Sequence, residues 1–445
     1  MNAYYNAFLG ILCNGDMLSL CSAKFFASPL GLTVLGTKIR QFFLDVLVRI
    51  YNLEISKIEA VEEDIKDVVR SHKRVLAGLT LVSGNVFKSL KMAEWLKSLG
   101  CDVIVGGPEL TKLTADHFIG LSPVDGSIVG FGEHIICEII ANGITSKIYT
   151  TPKHFDFKNT NVDYSLVFRL QDHGGVSMLW GGDCHLRNQR CYFCSRQKRG
   201  FGWRDPQLIW KELDYPHQLG IERVYNTADT VAVNLSQLEK LAESKPQSLS
   251  DMKIKCFINA TQVTDKTAGL LKKLNAWAAI GVETCSRVNV VGKGNTKSED
   301  NYRAIEVLSK HDVPMILTFV MGLPGEDENT LTQDSQEILQ IVKKHQRNIN
   351  WVTVSPLLVT LGSEAFNQCS KSLNGKLPKQ HDWEFYNPLM LTERYFENFC
   401  SVEISKIYEA IACLKAKINE TAKDVVFDSK GLDPKKWNKV CKWQF

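Results

Sequence analysis

Three cysteines, Cys184, Cys191 and Cys194, fall within eleven residues of one another in a polar loop. Three thiolates on one short loop can hold three irons of a [4Fe-4S] cube and leave the fourth iron open to an outside ligand. Cys191 and Cys194 in Cys-x2-Cys spacing, with Cys184 and the adjacent His185, also fit a four-ligand zinc site. Spacing alone leaves both open, and the setting separates them. Val176-Ser177-Met178-Leu179-Trp180 reads as a short strand entering the loop, and Pro206-Gln207-Leu208-Ile209-Trp210-Lys211-Glu212-Leu213 reads as the helix leaving it. A strand, a ligand loop and a helix begin a β/α barrel.

Four further strands follow at barrel spacing. Val224 to Asp229 ends in a carboxylate, Lys255 to Thr261 carries Asn259 and Thr261 at its end, and Ala279 to Ser286 places Glu283 at its end. Met315 to Met321 runs into Gly322-Leu323-Pro324-Gly325-Glu326, where two glycines permit a close turn. Trp351 to Leu357 supplies a sixth strand. In β/α barrels the carboxyl ends of the strands carry the chemistry, so these strand-end residues are the candidates. From about Asp382 the alternation stops, and Thr392 to Lys417 has the apolar spacing of an amphipathic helix that caps the barrel or packs beside it.

The first 150 residues alternate differently. Val75 to Val82 reads as a buried strand before a helix with Leu90, Ala93, Leu96 and Leu99 on one face; Asp102 to Val105 and Gly126 to Val129 repeat the pattern. Such alternation implies a parallel sheet with helices on both faces, whose ligands bind beyond the carboxyl ends of the strands. Thr80, Ser83, Gly106, Gly107 and Gly132 fall there. The polar stretch from Thr151 to Thr160 is the candidate linker.

A length of 445 residues suits two or three domains, and 53 basic against 49 acidic residues argue against an electrostatically driven nucleic-acid partner. Ala7 to Cys13 is apolar but is cut off by Asn14 and Asp16, which fits neither a signal peptide nor a membrane span and points to a cytoplasmic protein. Cys13, Cys21, Cys101, Cys137, Cys256 and Cys413 are scattered among the 13 cysteines and read as small buried hydrophobes.

The cysteine loop, with aromatic Phe193 before its last cysteine, and the Gly-Leu-Pro-Gly-Glu turn resemble the radical S-adenosylmethionine (SAM) superfamily. Pro29-Leu30-Gly31-Leu32, Gly78-Leu79-Thr80, Val105-Gly106-Gly107-Pro108 and Gly130-Phe131-Gly132-Glu133 resemble the cobalamin (B12)-binding domain that precedes the barrel in one class of that superfamily. Two departures stand out. Six residues separate Cys184 from Cys191 where the family usually has three. The Asp-x-His-x-x-Gly motif that supplies a lower cobalt ligand is missing, and His117 and His134 read as surface or loop histidines.

The resemblance implies an α/β protein: a Rossmann-like (flavodoxin-like) cobalamin-binding domain at 1–150, a linker at 151–175, a partial (β/α)6 barrel at 176–380 and a helical region at 381–445. It implies a [4Fe-4S] cluster on Cys184, Cys191 and Cys194, and SAM held by Asp229, Asn259, Glu283, Thr318, Gly322 and Gly325. Cobalamin, base-off for want of a histidine ligand, would lie along Thr80, Ser83, Gly106, Gly107 and Gly132. For Glu283 the plainer reading is a salt-bridged acid at a strand end. The implied activity is reductive SAM cleavage to a 5'-deoxyadenosyl radical and methylation of an unactivated centre of a small metabolite or peptide. Cyclisation, rearrangement or oxidation in the same class is the alternative. A reducing protein such as flavodoxin or ferredoxin would supply electrons; no nucleic acid and no membrane enter.

Overall fold

The computed structural model describes residues 3–428 apart from 14–27, 83–84, 109, 111–122, 152–154, 182–183, 185–190, 196–199, 201, 287–290 and 373–387. The chain builds two wholly parallel sheets. The first comprises β1 (Ala7–Leu12), β2 (Leu47–Asn52), β3 (Val75–Thr80), β4 (Asp102–Gly106), β5 (Gly126–Val129) and β6 (Ile148–Thr150), in the order β2-β1-β3-β4-β5-β6.

Alternation explains the two-sided burial. Ala7, Leu9 and Ile11 of β1 face a cluster containing Val61, Ile65 and Leu90, whereas Phe8 faces Leu32 and Ile39 on the opposite side. Val61, Ile65 and Val68 recur at helical spacing on Ile58–Ser71, which buries that one stripe. With this strand order the winding reverses between β1 and β3, so the crevice for a ligand opens at their carboxyl ends.

The second sheet runs in chain order through β7 (Val176–Met178), β8 (Arg223–Asn226), β9 (Lys253–Phe257), β10 (Ala276–Glu283), β11 (Met315–Met321), β12 (Ile349–Pro356) and β13 (Val426–Asp428). Among the described residues β7 and β13 do not pair, which leaves the barrel open. The C-terminal region therefore contributes a seventh strand as well as helices. Its amphipathic stretch is broken into Pro388–Phe399 and Ile404–Thr421; the second helix buries Ile407, Ile411, Leu414 and Ile418.

The segment between the sheets is pinned to both. Asp163 N donates to Thr37 Oγ1 (2.8 Å) and Phe168 N to Ile50 O (2.8 Å). Arg204, buried just after the cysteine loop, pairs with Glu212 and donates to Thr160 O (2.8 Å) and Leu179 O (3.0 Å). Burying a guanidinium is tolerated when its donors are paired in this way. Cys13, Cys101 and Cys256 are buried, but Cys413 is exposed, because its helix turns that face to solvent. No described helix is long and apolar enough to cross a membrane.

Candidate active site

The carboxyl end of β10 is the most constrained point of the barrel mouth. Glu283 adopts φ +68°, a left-handed conformation that costs a non-glycine residue roughly 1–2 kcal/mol. The β10–β11 register shifts between Gly281 and Glu283, which re-aims the strand end as a bulge does. Glu283 Oε1 lies 3.1 Å from Lys293 Nζ, both groups being buried, and Lys293 also donates to Gly281 O. The salt-bridged reading of Glu283 thus describes its present partner.

Gly281 makes this pairing possible. A Cβ there would sit 2.1 Å from Glu283 Oε1 and 2.9 Å from Lys293 Nζ. Gly281→Ala should therefore drive the pair apart and weaken SAM binding while leaving iron content intact, measured by equilibrium binding on reconstituted protein. Unchanged affinity would mean that the pair has no part in holding SAM.

The cysteine loop lies beside this pair. Burial pushes the Cys191 thiol up to about 12, with Glu283 adding to the rise, Lys293 opposing it, and Cys194 and Cys184 contributing further. All three cysteines are partly exposed. Three thiols on one loop, each able to bind a different iron, suit a cube that leaves its fourth iron open. The loop's end is fastened by Tyr192 N to Val291 O (2.8 Å), Ala365 N to Tyr192 O (3.1 Å) and Thr360 Oγ1 to Phe193 O (3.2 Å).

At the end of β11, Gly322 (φ +86°) and Gly325 (φ +72°) form the close turn, and the Glu326 carboxylate accepts from Leu323 N at 3.1 Å. A Cβ on Gly322 would fall 2.2 Å from Cζ of Phe396. Phe396 and Tyr395 belong to the helix Pro388–Phe399, and the Tyr395 ring lies 6.2 Å from that of Tyr192. That helix therefore bridges the glycine turn and the cysteine loop. Two other candidates follow neighbouring strands: Asn259 Oδ1 accepts from Thr261 N (2.9 Å) and Thr261 Oγ1 (2.7 Å), and Asp229 is partly buried after β8; Thr318 lies in the middle of β11, where its Oγ1 donates to Ile280 O (3.4 Å).

On the first sheet, Asn85 ties the switch point together. Its Nδ2 donates to Cys13 O (3.2 Å) and Thr80 O (2.9 Å), and its Oδ1 accepts from Val82 N (2.9 Å). Ser83 and His117 lie outside the described residues; His134 is exposed. The glycines differ in kind. At Gly107 (φ +123°) a Cβ would meet Leu81 O at 2.4 Å, so the β3 and β4 ends require glycine there whatever binds. Among the described residues the nearest atom to a Gly106 Cβ is Ile128 O at 3.9 Å; a Gly132 Cβ would press on Leu35 at 3.2 Å.

Residues 181–358, which include the cysteine loop, Glu283 and the glycine turn, match the family model described as the radical SAM superfamily. The chain contains a radical SAM superfamily domain over those residues. No curated protein sequence matches it. Its fold is similar to that of the radical S-adenosylmethionine methyltransferase TsrM from Kitasatospora setae, solved with cobalamin and a [4Fe-4S] cluster bound: 16% identity and TM-score 0.66 over 93% of this chain and 91% of that one. A second TsrM structure, with tryptophan substrate and the SAM analogue aza-SAM, gives 15% identity and TM-score 0.64 over 93% and 89%. The cobalamin-dependent S-adenosylmethionine radical enzyme OxsB with aqua-cobalamin gives 14% and 0.62 over 83% of this chain and 62% of its own length. The radical SAM barrel and the preceding sheet are thus arranged as in these enzymes.

Three residues escaped the sequence reading. Lys293 was visible only as a lysine between Gly292 and Gly294, both of which adopt positive φ. Phe396 carried no signal, since its partner Gly322 lies on another element, and of the three partners of Asn85 only Cys13 is distant in the chain.

Proposed function

We propose that the protein is a cobalamin-dependent radical SAM methyltransferase acting on an unactivated centre of a small metabolite or peptide. One contact carries the reading. Ser177 N, on the strand that enters the cysteine loop, donates to Ser28 Oγ (3.2 Å), which lies just before the helix Leu30–Phe42 on the connection leaving β1. This contact ties the connection leaving β1 to the strand that enters the cysteine loop, which supports a reading in which two cofactors act on one substrate.

The residues present suit both groups. Cys184, Cys191 and Cys194 would hold the cluster, and Ser127 Oγ, buried on β5 with no hydrogen-bond partner among the described residues, together with the space that those residues leave at Gly106, suits a large ligand on the first sheet. Bound together, the cluster would supply the electron that breaks a SAM carbon–sulfur bond and cobalamin would carry the methyl group. Glu283, Asp229 and Asn259 would orient the polar parts of SAM, and Thr318 with the Gly322 to Gly325 turn would receive its adenosine. Thr80, Ser83, Gly106, Gly107 and Gly132 would line the cobalamin crevice. The helix Pro388–Phe399 closes over the turn and keeps water from the mouth. A flavodoxin or ferredoxin is the fitting electron donor.

The comparable likeness to OxsB favours a second reading, radical chemistry in the same architecture without methyl transfer. Protein reconstituted anaerobically with iron, sulfide and cobalamin, and given reductant, methyl-deuterated SAM and a metabolite extract, should place the label in a product. A new product formed without label would overturn methyl transfer and support the second reading.

A further inference from the structure

We propose that Asp334, on the helix Glu328–His345, is a positioning residue for SAM: it clamps from behind the turn that presents Glu283. The inference rests on Glu283 contacting SAM as read above. A left-handed residue persists only where its surroundings over-determine it. Lys293 holds Glu283 from the mouth side. On the far side Thr284 Oγ1 donates to Asp334 Oδ2 at 2.6 Å, with both residues buried, and Ser286 Oγ donates to Asp334 Oδ1 at 3.1 Å. Thr284 N and Asn301 Nδ2 both donate to Val282 O (2.9 and 3.3 Å). The residues before and after Glu283 are thus both fixed, and one carboxylate holds Thr284 with one oxygen and Ser286 with the other.

Cys285, Asp334 and Glu337 place donor atoms within 4.8 Å of one another, a spacing that a metal ion also tolerates. The hydrogen bonds argue for a buttress instead. Both Asp334 oxygens are taken by hydroxyls, and the two Glu337 oxygens accept from Gln333 Nε2 (3.0 Å) and Tyr302 OH (2.7 Å). Burial, together with these carboxylates, pushes the Cys285 thiol up, so it stays protonated. Without Asp334 the buried Thr284 hydroxyl loses its acceptor and the turn is free to relax out of the left-handed conformation.

The test is a double-mutant cycle on SAM dissociation constants of the reconstituted enzyme, with iron and total metal measured alongside. Asp334→Ala should weaken SAM about tenfold and Glu283→Ala about tenfold or more, in line with losing a charge-assisted contact. Because Asp334 acts through Glu283, Asp334→Ala should add less than about twofold in the Glu283→Ala background. Thr284→Ser, which keeps the hydroxyl, should retain affinity that Thr284→Val loses; this pair reads the same clamp should Asp334→Ala fail to fold. An undiminished effect of Asp334→Ala without Glu283, or a stoichiometric second metal lost with Asp334, would overturn the clamp. Glu283→Ala with unchanged affinity would overturn the SAM assignment beneath it, whereas Glu283→Ala weakened and Thr284→Val unaffected would overturn the clamp alone.

Discussion

Replacing Cys184, Cys191 or Cys194 by Ala should each abolish reductive SAM cleavage and leave a folded protein. A cube needs a thiolate on each of three irons if the fourth is to bind SAM, and losing any one leaves an iron without its anchor. The fold should survive because the three side chains are partly exposed, and Cys191 only packs against the margin of an apolar core built from the strands and helices. Iron content, visible absorbance and 5'-deoxyadenosine production after anaerobic reconstitution read the effect, with far-ultraviolet circular dichroism as the control. Cys184 is the informative position, since six residues separate it from Cys191. A Cys184→Ala protein with full iron content and undiminished cleavage would show that another side chain holds the third iron.

Gly106→Leu should eliminate cobalamin retention without affecting cluster assembly. The glycine ends β4, next to β3, and among the described residues its Cβ direction meets nothing closer than Ile128 O at 3.9 Å. A leucine would therefore fill crevice volume while the strand stays in register. Gly107→Leu would be a poor test, because the clash with Leu81 O disturbs the β3 and β4 ends before any ligand arrives. Corrinoid absorbance after gel filtration of the reconstituted variant, with iron quantified in the same sample, separates the outcomes. Wild-type protein that folds, assembles its cluster and retains no cobalamin would overturn both the crevice assignment and the methyltransferase proposal.

Much of the barrel was legible in the chain. Met315 to Met321 coincides with β11, and Gly126 to Val129 with β5, because long or sharply bounded apolar runs beside glycines leave few alternatives. Other strands were not. Ala7 to Leu12 is a short apolar run ending at Asn14-Gly15-Asp16, and only pairing with both β2 and β3 shows it to be a central strand. Ile148–Thr150 and Val426–Asp428 are three residues long, too short for any periodicity to declare them. At the site, Glu283 stood out as an acid at a strand end; that it is left-handed, paired with Lys293 and backed by Asp334 did not.

By itself the sequence determined the parts whose physics is local: three thiols on one loop, a glycine turn after an apolar strand, and the strand–helix alternation that forces parallel sheets. These follow from the spacing of side chains and from the few residues that tolerate a tight turn. Tertiary structure alone decided what meets across the fold. Ser28 and Ser177, 149 residues apart in sequence, are joined by a hydrogen bond that ties the connection leaving β1 to the strand entering the cysteine loop. Phe396 reaches Gly322, and Asp334 reaches Thr284, only because the helices pack over the barrel in one order. Such contacts are set by the packing of whole elements, and residues near one another in the chain carry no record of them.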